Sequence, residues 1–260
     1  MIGADVELRV ATFNIRCSVA QDGLNAWPHR RARALELIQR SEASVLGLQE
    51  VWPDQLRDLS AGLPGWAWMA HDRGDGEMAV QAWRADQFVV RHAEAWMLAP
   101  EVSPWGTRGW DGACPRMAGM IELAPLGLAT EATLCWVNTH LDHVGPIART
   151  EGVRRILEVI ATRGVTNRSV IVGDFNAERA APALQPLRQL EGSLEMAKLT
   201  RPSFHGFGQA DPPVTIDHVF AGSAWRVDRV GSQWSESGNA SDHDLVYADL
   251  TWIGEAVDSV

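Results

Sequence analysis

The stretch Ser169–Asn176, SVIVGDFN, decides how the rest of the chain is read. Ser169–Val172 is a short apolar run of the kind that forms a strand buried on both faces. It gives way at once to Gly173, Asp174 and Asn176, so a carboxylate and an amide stand where the strand stops. The same arrangement recurs along the chain. ATFN ends at Asn14, VLGLQE at Glu50, CWVNTHLDH at His140 and Asp142, and TIDH at Asp217, while Ser241-Asp242-His243 opens the last strand. One polar residue at a strand end is ordinary turn chemistry. Six such ends are not, because strand ends converge on one edge of a sheet and can build a single site there.

Around these ends the chain alternates strands and helices. Leu8–Ile15, residues 44–48, Glu77–Trp83, Gln87–Ala95, Arg116–Leu123, Thr133–Thr139, Val214–Phe220 and Leu245–Leu250 read as the remaining strands. A helix is expected to begin near Pro28, with Leu35 and Ile38 on its apolar side. A second spans Trp52–Ala61 and stops at Gly62 and Pro64. A third spans Ala148–Arg163, where Val153, Ile156, Leu157 and Ile160 recur at helical spacing. Residues 100–115, rich in Gly, Pro and Trp, read as a long loop. Hairpin strands with a few covering helices suggest two packed sheets with helices outside. Neither a linker nor a repeat interrupts the pattern, so residues 1–260 are expected to form one domain.

Composition narrows the function classes. With 260 residues, 46% hydrophobic and 22% charged, the chain is long enough for a large core and is not a disordered or collagenous polymer. The start, MIGADVELRV, lacks a basic segment followed by an apolar one, and no apolar run nears the length of a membrane span, so a cytoplasmic protein without a membrane span is expected. Three cysteines, Cys17, Cys114 and Cys135, show no zinc spacing. A net charge of −10 argues mildly against a surface that grips long duplex nucleic acid, and it suits carboxylates offset by bound metal. No obligate protein partner is evident in the sequence.

The clustered residue types point to a particular chemistry. Glu50, Asp174, Asp242 and Asn14 are hard oxygen donors, suited to Mg²⁺ or Mn²⁺ rather than to a thiophilic ion. A cation held there polarises a phosphoryl oxygen and stabilises a leaving oxygen. His140 and His243 are then candidates for proton transfer or for contact with an anionic oxygen, with Glu77 and Asp217 available to fix their tautomers.

TFNIR around Asn14, LQEV around Glu50, Gly76-Glu77, CPR ending at Arg116, NTHLDH, GDFNA, IDHVF and SDHDLV follow one another in order. In this the sequence resembles the endonuclease/exonuclease/phosphatase superfamily, and within it a bacterial subgroup of small stand-alone members. The resemblance implies a four-layer α/β/β/α sandwich, two packed mixed β-sheets flanked by helices, with the site at one end. It implies that Asn14, Glu50 and Asp242 surround the divalent metal and that Asp174 aligns or deprotonates the attacking water. Asn176 would hold a phosphoryl oxygen, and His243, oriented by Asp217, would contact the scissile phosphate. His140, supported by Glu77, would act on the leaving-group side or on another phosphate oxygen, and Arg116 would contact a phosphate. His205, in Phe204-His205-Gly206-Phe207, would belong to a substrate-side loop. Which histidine serves as the acid stays open.

Within that resemblance the expected partner is a phosphorylated small molecule or a nucleic acid. The chain lacks the basic insertion of the abasic-site endonucleases, and the Trp-Cys-Asp-Arg pattern and phosphate-binding lysines of the inositol phosphatases. A small or exposed phosphoester is therefore the first expectation. A nuclease is the alternative, and it would need a basic groove from residues such as Arg73, Arg108, Arg149 and Arg179. A catalytically silent binding module is the third reading.

Overall fold

The computed structural model describes residues 6–127, 132–190, 199 and 201–254. Its strands form two sheets. The first has six strands in the order β10-β11-β1-β2-β4-β3, and the second has five in the order β5-β6-β7-β8-β9. The strands are β1 Glu7–Asn14, β2 Val45–Val51, β3 Trp66–Asp72, β4 Met78–Arg84, β5 Phe88–Met97, β6 Met117–Pro125, β7 Leu134–His140, β8 Ser169–Asp174, β9 Asp217–Ala221, β10 Trp225–Gln233 and β11 Leu245–Trp252. The helices are α1 Trp27–Arg40, α2 Pro53–Gly62, α3 Pro146–Thr162 and α4 Gln185–Leu190.

Three apolar clusters set the layers. Val10, Val45, Ile121, Trp136, Val172, Val219 and Val246 meet between the sheets. Phe13, Leu46 and Leu48 pack under Leu37, Ile38 and Leu59 of α1 and α2. Val137, Ile171 and Phe220 pack under Val153, Ile156 and Leu187 of α3 and α4. Strands carrying apolar residues on both faces are covered on both faces, which yields the helix–sheet–sheet–helix order.

Each sheet contains one parallel pair. β1 runs parallel to β2, with α1 between them in sequence, and β7 runs parallel to β8, with α3 between them. A parallel pair needs such a crossover, and it aligns the carboxyl ends of both strands at one edge. In register, Asn14 stands beside Gln49, His140 beside Asp174, and Asp174 beside Asp217. The polar strand ends of the sequence therefore become neighbours through backbone pairing alone.

A buried polar plug joins the sheets behind this edge. The Asn138 amide of β7 donates to the carbonyls of Leu48 and Val80, both at 2.9 Å, and its Oδ1 accepts from Gln49 Nε2 at 2.6 Å. Gln49 also donates to Thr12 Oγ1 at 2.9 Å. Gly47 makes the approach possible, since a Cβ there would lie 2.8 Å from Val172 and 2.9 Å from Asn138.

The expected strand over Val214–Phe220 is shorter than read. Val214 makes only an isolated bridge to Phe204, and the strand begins at Asp217. Residues 100–115 hold no helix or strand, as expected, but the loop is tightly anchored. Asp111 accepts from the N–H groups of Ile147 and Ala148 at 3.3 and 2.7 Å, capping α3 across the loop. Trp105 Nε1 donates to the Asp72 carbonyl at 2.8 Å.

Candidate active site

The carboxyl ends of β1, β2, β7 and β8, the start of β9 and the segment before β11 face one another. Asn14 links the two sheets, its Nδ2 donating to Glu50 Oε1 and to Asp174 Oδ2, both at 3.0 Å. Asp174 is the hub. Its Oδ2 also lies 3.4 Å from His140 Nε2 and 3.7 Å from His243 Nε2, and its Oδ1 accepts the Asn176 N–H at 2.9 Å. His243 Nδ1 is 2.7 Å from Asp217 Oδ2 in a fully buried pair. Asp242 Oδ1 lies 3.1 Å from Ser241 Oγ, and its Oδ2 lies 3.8 Å from Arg16 Nε.

Local backbone breaks aim these side chains. The β2–β4 ladder slips between Leu48 and Val51, and Glu50 sits at φ +60° inside that bulge. A bulge of this kind re-aims a side chain at the cost of one ladder position. Asn176 likewise takes φ +47° in the turn after β8. Both positions hold non-glycine residues in the left-handed region, a strain that surrounding contacts must sustain.

Glu77 and His140 face each other at 3.7 Å, beyond hydrogen-bond range. Arg73 takes Glu77 instead, donating from Nη1 to Oε1 at 2.5 Å, and holds Asp75 with its other two nitrogens. His140 Nε2 is 3.1 Å from Asn176 Nδ2, which also donates to the Leu141 carbonyl at 2.9 Å. That second bond fixes the amide orientation, so Nε2 accepts and the His140 proton resides on Nδ1, toward Glu77. Glu50, Arg73, Glu77, Arg116 and His140 line a narrow pocket of about 10 Å³, room for one water-sized group.

Arg116 is buried beside this pocket. Its Nη2 donates to His143 Nδ1 at 3.1 Å and its Nε lies 3.6 Å from Asp142. Asp142 braces the loop: it accepts from the N–H groups of Ala113, Cys114, Val144 and Gly145. His205 stands on the far side of His243, with its Nε2 3.5 Å from Asp244 Oδ1. Of the arginines named for a nuclease groove, Arg108 is exposed, and the other three have these surroundings. Arg73 is buried on two carboxylates, Arg149 donates to the Asp142 carbonyl, and Arg179 rests 4.6 Å from the Phe220 ring centroid.

The sequence spanning 11–243 matches the profile of the Endonuclease/Exonuclease/phosphatase family. The chain belongs to that family. Solved structures agree. An endonuclease/exonuclease/phosphatase from Bacteroides vulgatus is 31% identical, with a TM-score of 0.87, over 95% of this chain and 99% of the other. A mannosyl-6-phosphatase from Bacteroides thetaiotaomicron shares the fold at 24% identity and a TM-score of 0.82, over 94% of this chain and 99% of the other. ANGEL2, a 2′,3′-cyclic phosphatase, shares it at 16% identity and a TM-score of 0.72, over 95% and 96%. No curated protein sequence matched.

Charge is distributed unevenly in this family member's site. Burial opposes the charge on Glu50, but the facing His140 and the donors Asn14 and Cys17 N–H hold its carboxyl down at about 2. Burial and the positive charge of Arg116 push His140 down to about 3. The two thus compete for one proton, and above that range the glutamate is ionised and the histidine neutral. His243 is the reverse: burial opposes its charge, yet Asp217, Asp174 and Asp242 raise it to about 10. Burial lifts Glu77 to about 7, even with Arg73 donating to it.

The donor set fits a hard divalent cation. Asp174 is pushed up by burial and by the charge of Asp217, a repulsion that a bound cation would relieve. Asp174, Asp217 and His243 offer donor atoms within 4.8 Å of one another. Asp217 Oδ2 and His243 Nδ1 are already paired with each other, while Asp217 Oδ1 is buried without a hydrogen-bond partner.

Several residues that build the site were absent from the sequence reading. Arg30 is fully buried and donates to the carbonyls of Asn25, Ile15, Arg16 and Ala240, tying the segment after β1 to the segment before β11. Ser241, read only as the start of the last cluster, donates from Oγ to the Asn14 carbonyl at 2.7 Å. Asn138, Gln49 and Arg73 were likewise missed as site supports. The motif NTHLDH contains Asn138, and LQEV contains Gln49, so a signal existed there. Arg30 and Arg73 gave none.

Proposed function

We propose that this family member is a Mg²⁺- or Mn²⁺-dependent hydrolase of a small or exposed phosphoester. The observation that carries the reading is the convergence on Asp174 of two imidazoles, of Asn14 and, through Asn14, of Glu50. Glu50, Asn14 and Asp242 would hold the cation, which when bound supplies charge to polarise the phosphoryl group and to stabilise the leaving oxygen. Asp174 Oδ2 is the base that orients the attacking water and takes its proton. His243, kept as an imidazolium by Asp217, presents its Nε2–H to a phosphoryl oxygen. His140, neutral, carries its proton on Nδ1, because Asn176 Nδ2 donates to its Nε2. Asn176 Nδ2 exchanges its bond to His140 for one to the phosphate, and Arg116 adds a positive charge at the same wall.

The net charge of −10, and Arg73 held by Glu77 and Asp75, favour a small or exposed ester over extended nucleic acid. The test is a panel of phosphomonoesters, phosphodiesters and nicked plasmid assayed with Mg²⁺ or Mn²⁺. The reading expects hydrolysis of small esters and a loss of about 10²–10⁴-fold for Asp174→Asn, the usual contribution of general base catalysis. An Asp174→Asn variant that keeps its rate on the preferred substrate ends this assignment.

A further inference from the structure

The loop after β1 carries a cation of its own into the acidic cluster. Arg16 stands two residues past Asn14, and its Nε and Nη2 donate to Asp22 Oδ2 and Oδ1 at 3.0 and 3.1 Å. That is the two-pronged grip a guanidinium makes on a carboxylate. The same Nε lies 3.8 Å from Asp242 Oδ2, past hydrogen-bond range, so Asp242 meets the charge without receiving a bond. The Asp22 and Asp242 side chains are 13% and 10% exposed and that of Arg16 is 32% exposed, which places the guanidinium at the rim of the cluster.

The main chain fixes this placement. Arg16 sits at φ +56°, a left-handed conformation that a non-glycine residue keeps only where its surroundings enforce it. Those contacts are present. Its N–H donates to Asn14 Oδ1 at 3.0 Å, and its carbonyl accepts from Gln55 Nε2 at 2.8 Å and from Arg30 Nη2 at 2.5 Å. The next N–H, that of Cys17, donates to Glu50 Oε2 at 3.0 Å. The loop that aims the guanidinium is thus the one that orders Asn14 and Glu50.

Such a charge acts in two directions. In the metal-free protein it offsets the mutual repulsion of Glu50, Asp174 and Asp242. Towards a divalent cation it is repulsive, at a range where charges in a protein interact strongly. A guanidinium cannot relieve that repulsion by releasing a proton, since it stays charged at every pH the protein meets. The grip of Asp22 keeps it from swinging away. Asp242 is then the carboxylate shared between Arg16 and the cation.

Resting on the cation reading above, we propose that Arg16 is a built-in competitor of the divalent cation, lowering the affinity of the site for that ion while holding its carboxylates together in the metal-free protein. The test measures Mn²⁺ affinity by electron paramagnetic resonance on chelator-treated wild type, Arg16→Gln, Arg16→Lys and Glu50→Ala. Loss of one positive charge at this range is expected to tighten Mn²⁺ binding about tenfold or more in Arg16→Gln. Arg16→Lys, which keeps the charge, should stay closer to wild type than to Arg16→Gln. A damaged site binds the ion more weakly, so tighter binding is a result that disruption does not produce. Mn²⁺ should also raise the Tm of Arg16→Gln by more than that of wild type, since stabilisation grows with affinity. With Mn²⁺ binding lost in Glu50→Ala, equal or weaker binding by Arg16→Gln overturns the proposal alone. Equal binding joined to a raised KM would make Arg16 a substrate contact instead. Binding that Glu50→Ala keeps, or that is absent from wild type and Arg16→Gln alike, ends the cation reading and the proposal with it. Arg16→Met, equally uncharged, replaces Arg16→Gln should that variant not fold; if neither folds, the guanidinium is structural and the proposal falls.

Discussion

Replacing Asn138 with Ala tests whether the inter-sheet plug holds the site together. The side chain is fully buried and makes three hydrogen bonds, two from its amide to main-chain carbonyls and one accepted from Gln49. Alanine leaves two carbonyls and one amide N–H unsatisfied between the sheets. At roughly 1–1.5 kcal/mol for each bond in such a place, the loss is about 3–4 kcal/mol. For a chain of this size that lowers Tm by on the order of 10 °C. Urea unfolding followed by tryptophan fluorescence, with twelve Trp as reporters, measures it directly. The midpoint should fall with little change in slope. Because Gln49 precedes Glu50 in β2, the folded variant at low temperature should also lose activity. A loss of stability under about 1 kcal/mol would mean that the plug is filled by water or is not formed, and the account of sheet register behind the site would fail.

Other outcomes follow from the same contacts. In Asp217→Asn, His243 loses the main support of a pKa raised to about 10, so its charge is lost at lower pH. Wild-type activity should persist into the alkaline range, whereas the variant's should decline above neutrality, with a loss of about 10–100-fold at pH 8; matching pH profiles would contradict this. His218 is held down to about 4, chiefly by burial, with its Nε2–H donating to the Ala177 carbonyl. The native state therefore binds fewer protons than the unfolded chain between about 4 and 6.5, and stability falls as pH drops through that window, by up to about 3 kcal/mol. His218→Phe should flatten that acid-side loss in thermal melts, and an unchanged slope would refute it. Asp111→Ala removes the cap of α3 and should cost about 0.5–2 kcal/mol in urea unfolding. A variant as stable as wild type would show that the cap contributes nothing.

The sequence made the interior legible because buried strands carry unbroken apolar runs that end abruptly in polar residues. β1, β2, β7, β8 and β11 read this way, and they carry or adjoin the site. β3 and β10 did not, for a physical reason. Both lie at the ends of the first sheet, where one ladder is unpaired and burial is partial. WRVDRVGSQ mixes charges into the strand accordingly, and WAWMAHD lacks a clean alternation. Edge strands are often written in this way, to resist pairing with other chains. The site's acidic and imidazole members were named from motif order, but their supports were not. Arg30 makes its hydrogen bonds to main-chain carbonyls, which leave no trace in the spacing of side chains. Arg73 was named only for a basic groove, and the hairpin geometry brings it back onto Glu77 instead. Asp142 reads in sequence as one of the polar strand ends, and the four N–H groups it accepts make it a brace of the loop.

The central claim is that carboxylates from separate strand ends share one divalent cation and use it to cleave a phosphoester. Mn²⁺ binding to the chelator-treated protein, followed by electron paramagnetic resonance alongside hydrolysis of the preferred ester, tests it most directly. Activity should vanish on chelation and return in step with Mn²⁺ occupancy, and Glu50→Ala should lose both together. Full hydrolysis in chelator, or undiminished Mn²⁺ binding by Glu50→Ala, would contradict the claim.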